Sequence, residues 1–204
     1  ANTSGRPSPT TAQHVYEDLQ GKIPMILDGG AVTIGLESTI VDLTEEIPTI
    51  LRPGYISLEM VQAVLGEAKM DKGLISSDSN IHPKAPGMKY RHYAPAAEMT
   101  LVEGGMEQVV DFIREAAKKA ETEGKRVGII CTEESKGLYP TGILEVIGSR
   151  SHEETVAHNL FAVLRKFDEL QVDCIFSESF SGDRLGQAIM NRLCKAAGYH
   201  IVNV

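Results

Sequence analysis

An α/β fold is what this sequence predicts, on three observations. After residue 96, apolar β-rich runs alternate with stretches of helical periodicity, and such alternation builds a parallel, doubly wound sheet. Before residue 70, a capped amphipathic stretch is followed by short β-like runs punctuated by Gly and Pro. Between the two lies a proline-rich stretch that no long helix can cross. The expected organisation is a first segment over residues 1–70, a linker over 71–95 and a small parallel-sheet domain over 96–204.

The elements follow in chain order. "ANTSGRPSPTT" is a polar loop. Ser8 or Thr10 can cap a helix that runs through Val15, Tyr16 and Leu19 to Gly21, with Pro9 in its first turn. "PMILDGG", "GLESTIVDL" and "PTILRPG" read as three strands, the second carrying Ser38 and Thr39. In the linker, "SNIHPKAPGMKYRHYAP" at 79–95 holds Lys84, Lys89 and Arg91 and no carboxylate. Beyond it, "MTLVEGG" is a strand and Met106 to Glu123 a helix with Val109, Ile113, Ala116, Ala117 and Ala120 at helical spacing. "KRVGIICTEE" and "GILEVIGSR" are strands, and Ser151 with Glu154 forms a capping box for a helix facing inward with Val156, Leu160, Leu164 and Phe167. "VDCIFSESF" is a strand, Leu185 to Ala197 a helix closed by Gly198, and "HIVNV" a last strand. This second part is Rossmann-like in its alternation.

Composition narrows the function classes. No run approaches the ~18 apolar residues of a membrane span, and the N-terminus lacks the regions of a signal peptide; a cytoplasmic location is expected. Cys131, Cys174 and Cys194, odd in number and widely spaced, read as buried reduced thiols. A net charge of -8 argues against broad binding to nucleic-acid phosphates. An anionic ligand must then be met by a local cluster of cations.

Chemistry concentrates in three places. The polar loop abuts a helix N-terminus, whose N–H groups and dipole favour a phosphate or carboxylate. Ser38 and Thr39 offer paired hydroxyls, and Arg52 ends a strand just before the Pro53-Gly54 turn; loop, hydroxyls and arginine are the parts of a site for a phosphorylated ligand. In the linker, Tyr90, His92 and Tyr93 stand among cations, a composition suited to stacking as well as to a solvated connector. The Rossmann-like part has neither GxGxxG nor GxxxxGK[ST]. Gly104-Gly105 offers a tight strand-to-helix turn, and Ser177, Glu178, Ser179, Ser181, Asp183 and Arg184 gather beyond a strand end, where open α/β sheets bind ligands.

"ANTSGRPSPT", "GLESTIVD", "ILRPGYIS", "APGMKYRHYAP" and "GQAIMNRLCKAA" occur in that order along the chain. Together they resemble the two-domain threonylcarbamoyl-AMP synthases, in which a YrdC-like twisted α/β catalytic domain is joined to a Rossmann-like C-terminal domain. The resemblance implies that L-threonine, bicarbonate and ATP give threonylcarbamoyl-AMP and pyrophosphate, for threonylcarbamoyladenosine in tRNA. It implies ATP contacts from Asn2, Ser4, Thr10, Arg52, Tyr90 and His92, and a hold on threonine from Ser38. Mg²⁺ would come with ATP, no protein metal cage is expected, and no separate acid–base catalytic residue is assigned. Other tRNA threonylcarbamoylation proteins are possible partners, while direct stable nucleic-acid binding and membrane binding are not expected. The family's first motif reads SANxSG, so the chain is expected to be the C-terminal portion of such an enzyme and inactive alone. Two other readings stay open: carbamoyl transfer by a YrdC-type domain, and a non-catalytic nucleotide-sensing or interaction module.

Overall fold

The computed structural model describes residues 3–71, 74, 93–181 and 184–204. Asn2, Tyr90, His92 and the linker cations Lys84, Lys89 and Arg91 lie outside the described residues. The elements are α1 (Ala12–Leu19), β1 (Ile40–Asp42), β2 (Thr49–Arg52), α2 (Leu58–Leu65), β3 (Lys69–Met70), β4 (Glu98–Glu103), α3 (Met106–Thr122), β5 (Val127–Thr132), β6 (Ile143–Gly148), α4 (Glu153–Leu170), β7 (Cys174–Glu178), α5 (Arg184–Ala196) and β8 (Ile201–Asn203).

The second half takes the predicted form. Its five strands lie in the order β6-β5-β7-β4-β8, and every neighbouring pair is parallel. Strand β5 is buried along its whole length, as a strand covered by helices on both faces must be. The inner faces of α4 and α5, with Leu160, Phe161, Leu164, Ile189 and Leu193, join one core; α3, with Val109, Ile113 and Ala117, makes the other. Gly128 on β5 is needed for the first: a Cβ there would stand 2.6 Å from the Phe167 ring, so the missing side chain lets α4 settle on the sheet.

The first half is smaller and differs from its sequence reading in several places. β1 pairs antiparallel with β2, and β2 pairs parallel with β3 over a small core of Ile50, Val61 and Ala68. "PMILDGG" is not a strand: Asp28 Oδ1 accepts the Gly30 N–H at 2.9 Å, folding a local turn, while Met25 and Leu27 stand exposed. Ser38 and Thr39 precede β1 rather than lying in it. The cap of α1 is Thr11, whose extended backbone aims Oγ1 at the His14 N–H, and neither Ser8 nor Thr10 serves; Pro9 lies before the helix. Helix α2, capped by Ser57, has no counterpart in the sequence reading, although a serine before an apolar run is a start signal.

Two corrections concern the second half. Ser151 does not cap α4; its hydroxyl faces the Ser149 hydroxyl at 2.8 Å, and Thr155 Oγ1 takes the Ser149 N–H instead. Cys131 is buried, but Cys174 and Cys194 are only half-buried; all three are free thiols.

The two halves are joined by ions taken out of water. Arg165 of α4 forks onto the Asp18 carboxylate of α1 at 2.9 and 3.1 Å and donates to the Pro7 carbonyl at 2.6 Å. Both side chains are at most 1% exposed. Arg6 adds a contact of 2.7 Å and the Thr3 N–H one of 3.0 Å, so the carboxylate is held from several sides. The hydrogen bond from Arg165 outweighs burial and keeps the Asp18 carboxyl below its ordinary range.

Breaking this pair from one side leaves a buried ion without its counter-charge, so Asp18→Ala should destabilise the protein by ~3–5 kcal/mol in urea titration. Because the folded state favours the carboxylate, its contribution is complete above the unfolded pKa of ~3.9 and is lost as pH falls through the lower folded value. The melting temperature of Asp18→Asn should accordingly fall less steeply than that of wild type below about pH 4; parallel slopes would remove Asp18 from the acid limb.

Candidate functional site

Ser38 and Arg52, 14 residues apart in sequence and predicted separately, stand together. Arg52 donates from Nε to the Ser38 carbonyl at 3.0 Å and reaches the Ser38 hydroxyl from Nη2 at 3.5 Å. Gly54 makes this approach possible: a Cβ there would lie 2.5 Å from the Thr39 nitrogen, so only glycine lets the chain after β2 lie against residues 37–39. The Thr39 hydroxyl ties the segments before β1 and after β2 by donating to the Ile56 carbonyl at 2.8 Å.

Beside them is a residue the sequence reading passed over. Glu37 accepts the Ser8 hydroxyl at 2.5 Å and the Arg192 Nε–H at 3.1 Å. Burial alone would push the Glu37 carboxyl up, but the Arg192 charge and the Ser8 hydroxyl outweigh it and hold the group below its usual range. Arg192, fully buried on α5, also donates to the Pro53 carbonyl and, at 3.4 Å, to the Glu37 carbonyl. One turn on, buried Lys195 donates to Asn191 Oδ1 at 3.0 Å. Burial, with the charges of Arg192 and Arg52, brings its ammonium down to about 8. Tyr93 packs on Phe161, ring centres 5.1 Å apart, and burial together with the Glu37 charge raises its phenol.

Among the described residues, Arg52, Arg192 and Lys195 thus gather about one carboxylate, Glu37. This is the local excess of cations that an acidic chain needs in order to hold an anion. The polar loop borders it through Ser8. Ser4 is exposed, whereas Thr10 is buried: its N–H donates to His14 Nδ1 at 3.1 Å and its carbonyl accepts the Val32 N–H. Of the expected ligand residues, the structure therefore brings Ser38 and Arg52 into contact, leaves Ser4 open on the loop and turns Thr10 inward. Among the described residues no three His, Cys, Asp or Glu side chains gather as for a metal ion. Burial pushes the Cys131 thiol up to about 12 and the Cys194 thiol to about 11, so neither is a ready nucleophile.

The Rossmann-like sheet has a crevice of its own. The loops after β4 and β7 depart to opposite faces, and between them lies a cavity of about 260 Å³ lined by Gly104, Met106, Val109, Arg150, Phe180 and Ser181. Two separate sequence signals, Gly104-Gly105 and the serine-rich stretch, meet here; Asp183 lies outside the described residues. Arg150 is engaged with buried Glu178 at 2.6 Å and with the Ser179 carbonyl at 2.9 Å, so its charge is already balanced. A wider cleft of about 770 Å³ runs between α2 and the starts of α4 and α5, lined by Tyr55, Met60, Glu153 and Arg184. It shares no lining residue with the Ser38–Arg52 cluster.

Known proteins match the chain along its length. A family profile described as the threonylcarbamoyl-AMP synthase C-terminal domain covers residues 56–198, and one described as telomere recombination covers residues 1–54. The threonylcarbamoyl-AMP synthase of Bacillus subtilis is 48% identical over 99% of the chain, and that of Pyrococcus abyssi 46% over all of it. The chain spans 57% and 58% of the length of these two relatives. The crystal structure of P. abyssi Sua5 complexed with L-threonine matches with a TM-score of 0.89 at 44% identity, covering 100% of this chain and 58% of that one. The chain belongs to the threonylcarbamoyl-AMP synthase family.

Proposed function

We propose that the protein makes threonylcarbamoyl-AMP from L-threonine, bicarbonate and ATP and releases pyrophosphate, with Ser38 and Arg52 in its substrate site. The observation that carries this reading is the likeness over the whole chain to a structure crystallised with L-threonine. The cation cluster around Arg52 gives it a chemical basis.

The reaction asks for positioning more than for acid–base machinery. The threonine amine and bicarbonate give a carbamate and water; a carbamate oxygen then attacks the α-phosphorus, and the bond to the β-phosphate oxygen breaks to release pyrophosphate. Such transfers are accelerated mainly by holding the reactants in line and by offsetting charge. Arg52 suits the second task, because its guanidinium stands at a strand end with its backbone fixed by Pro53-Gly54. The Ser38 hydroxyl beside it suits a polar group of the amino acid. Ser4 and Thr10 border the nucleotide in this reading, and Asn2, Tyr90 and His92 would complete its contacts. Mg²⁺ is the expected companion of ATP. The Arg52 cluster is cationic and the described residues form no carboxylate cage, so the ion would be held by phosphate oxygens and water, as is usual for it. A cytoplasmic site of action fits these substrates, and no helix among the described residues is long and apolar enough to cross a membrane.

The full-length protein should release pyrophosphate from ATP only when threonine and bicarbonate are both supplied. Equal release without threonine would overturn the assignment. Arg52→Ala should weaken ATP binding roughly 10- to 150-fold in calorimetric titration, corresponding to the ~1.5–3 kcal/mol of a hydrogen bond to a charged group. Arg52→Lys should recover only part, since an ammonium cannot reproduce the fork. Unchanged affinity in Arg52→Ala would take the residue out of the site.

A further inference from the structure

We propose that Arg192 of α5 is a positioning residue of the substrate site, through which the Rossmann-like sheet fixes the geometry of Ser38 and Arg52. The inference rests on the proposed synthase activity for its functional consequence, but the geometry stands without it.

One guanidinium touches both segments that carry the substrate candidates. Its Nε–H and one Nη–H group meet the carboxylate and carbonyl of Glu37, the neighbour of Ser38; its other Nη–H group meets the carbonyl of Pro53, the neighbour of Arg52. Ser38 and Arg52 are themselves joined by the bond of 3.0 Å from Arg52 Nε. The polar loop enters the same network through Ser8 on Glu37. The polar loop, the segment before β1 and the end of β2 are thus referred to one planar group on a different part of the chain, 155 residues away from Glu37.

Stability alone does not account for such an arrangement. Taking a guanidinium out of water costs several kcal/mol, and well-packed apolar side chains often replace a buried ion pair without loss. What an apolar side chain cannot do is fix two carbonyls and a carboxylate in defined directions, which a planar fork does. Where a reaction depends on alignment, a shift of about 1 Å at a distance from the chemistry can cost ~100-fold in rate. Glu37 also keeps the site from being purely repulsive: without it, Arg52, Arg192 and Lys195 would confront one another.

The test compares Arg192→Met and Arg192→Lys with wild type in the full-length protein. Arg192→Met should keep a cooperative thermal transition, yet lose roughly 10- to 100-fold in kcat/KM for threonine, with Arg192→Lys in between. In the Arg192→Met background, Arg52→Ala should cost less than it does in wild type, because the two act on one geometry. Hydrogen exchange, which needs no activity, should speed up at residues 37–40 and 52–55 while the amides of β4, β5 and β7 stay protected. If Arg192→Met does not fold, Arg192→Lys and its exchange pattern carry the test. Wild-type kinetics in a folded variant, or unchanged exchange at both segments, would overturn the proposal. Wild-type protein without threonine-dependent pyrophosphate release would instead overturn the synthase reading, and the exchange comparison would still decide the role of Arg192.

Discussion

Two guanidinium groups buried across the seam between the halves organise this molecule. Arg165 and Arg192 come from the helices α4 and α5, which share one face of the five-stranded sheet, and each ends on a carboxylate of the N-terminal segment, Asp18 and Glu37. That segment has little core of its own, one small cluster of Ile50, Val61 and Ala68. Its strands and loops hold their places because buried charge tolerates few geometries: each ion must find its partners or carry an uncompensated desolvation cost. Apolar packing alone would leave the polar loop free to slide. The ion pairs give it an address.

Most of the second half was legible in the sequence because burial on both faces of a parallel sheet leaves a strong local trace. The continuous apolar run at Val127–Thr132 and the inward face of Val156, Leu160, Leu164 and Phe167 have no other economical reading. The first half was less legible for reasons that differ by residue. "PMILDGG" has the composition of a strand but takes a side-chain turn at Asp28, a local competitor that periodicity does not register. Thr10 and Thr11 are adjacent and chemically alike, so which of them caps depends on the residue at which the helix begins, which only the fold decides. Ser38 and Arg52 were picked out singly by residue type, and their contact follows from the absence of a side chain at Gly54. Glu37, Arg192 and Lys195 escaped notice altogether. In sequence a glutamate beside Ser38 and two cations on a late helix look like solvated surface, and nothing local reveals that 155 residues separate partners.

The Rossmann-like sheet shows how a favourable location can be occupied by the fold itself. Its strand order creates a crevice between β4 and β7, the place where such sheets receive ligands. The arginine at that crevice is bound to Glu178, which also accepts from the Ser135 and Tyr139 hydroxyls and is fully buried. Arg150 further lies 5.0 Å above the Phe180 ring. The side chains that could have met an anion are thereby committed to closing the end of the sheet.

The contrast between the two arginine sites is one of charge balance. At the crevice one cation meets one carboxylate, and the field beyond the pair is small. At the seam Arg52, Arg192 and Lys195 share Glu37, so among the described residues positive charge is in excess, in a protein whose net charge is -8. The strain of that excess registers in Lys195, whose ammonium is brought down to about 8 by burial and by the neighbouring arginines. A polyanion arriving at Arg52 would relieve the repulsion that burial has built up, and so would be bound by charges already held in place. The cluster is costly to assemble from one half alone. Contributed from two, with the cations of α5 anchored in a large apolar core, it is kept together by packing that has no part in the chemistry.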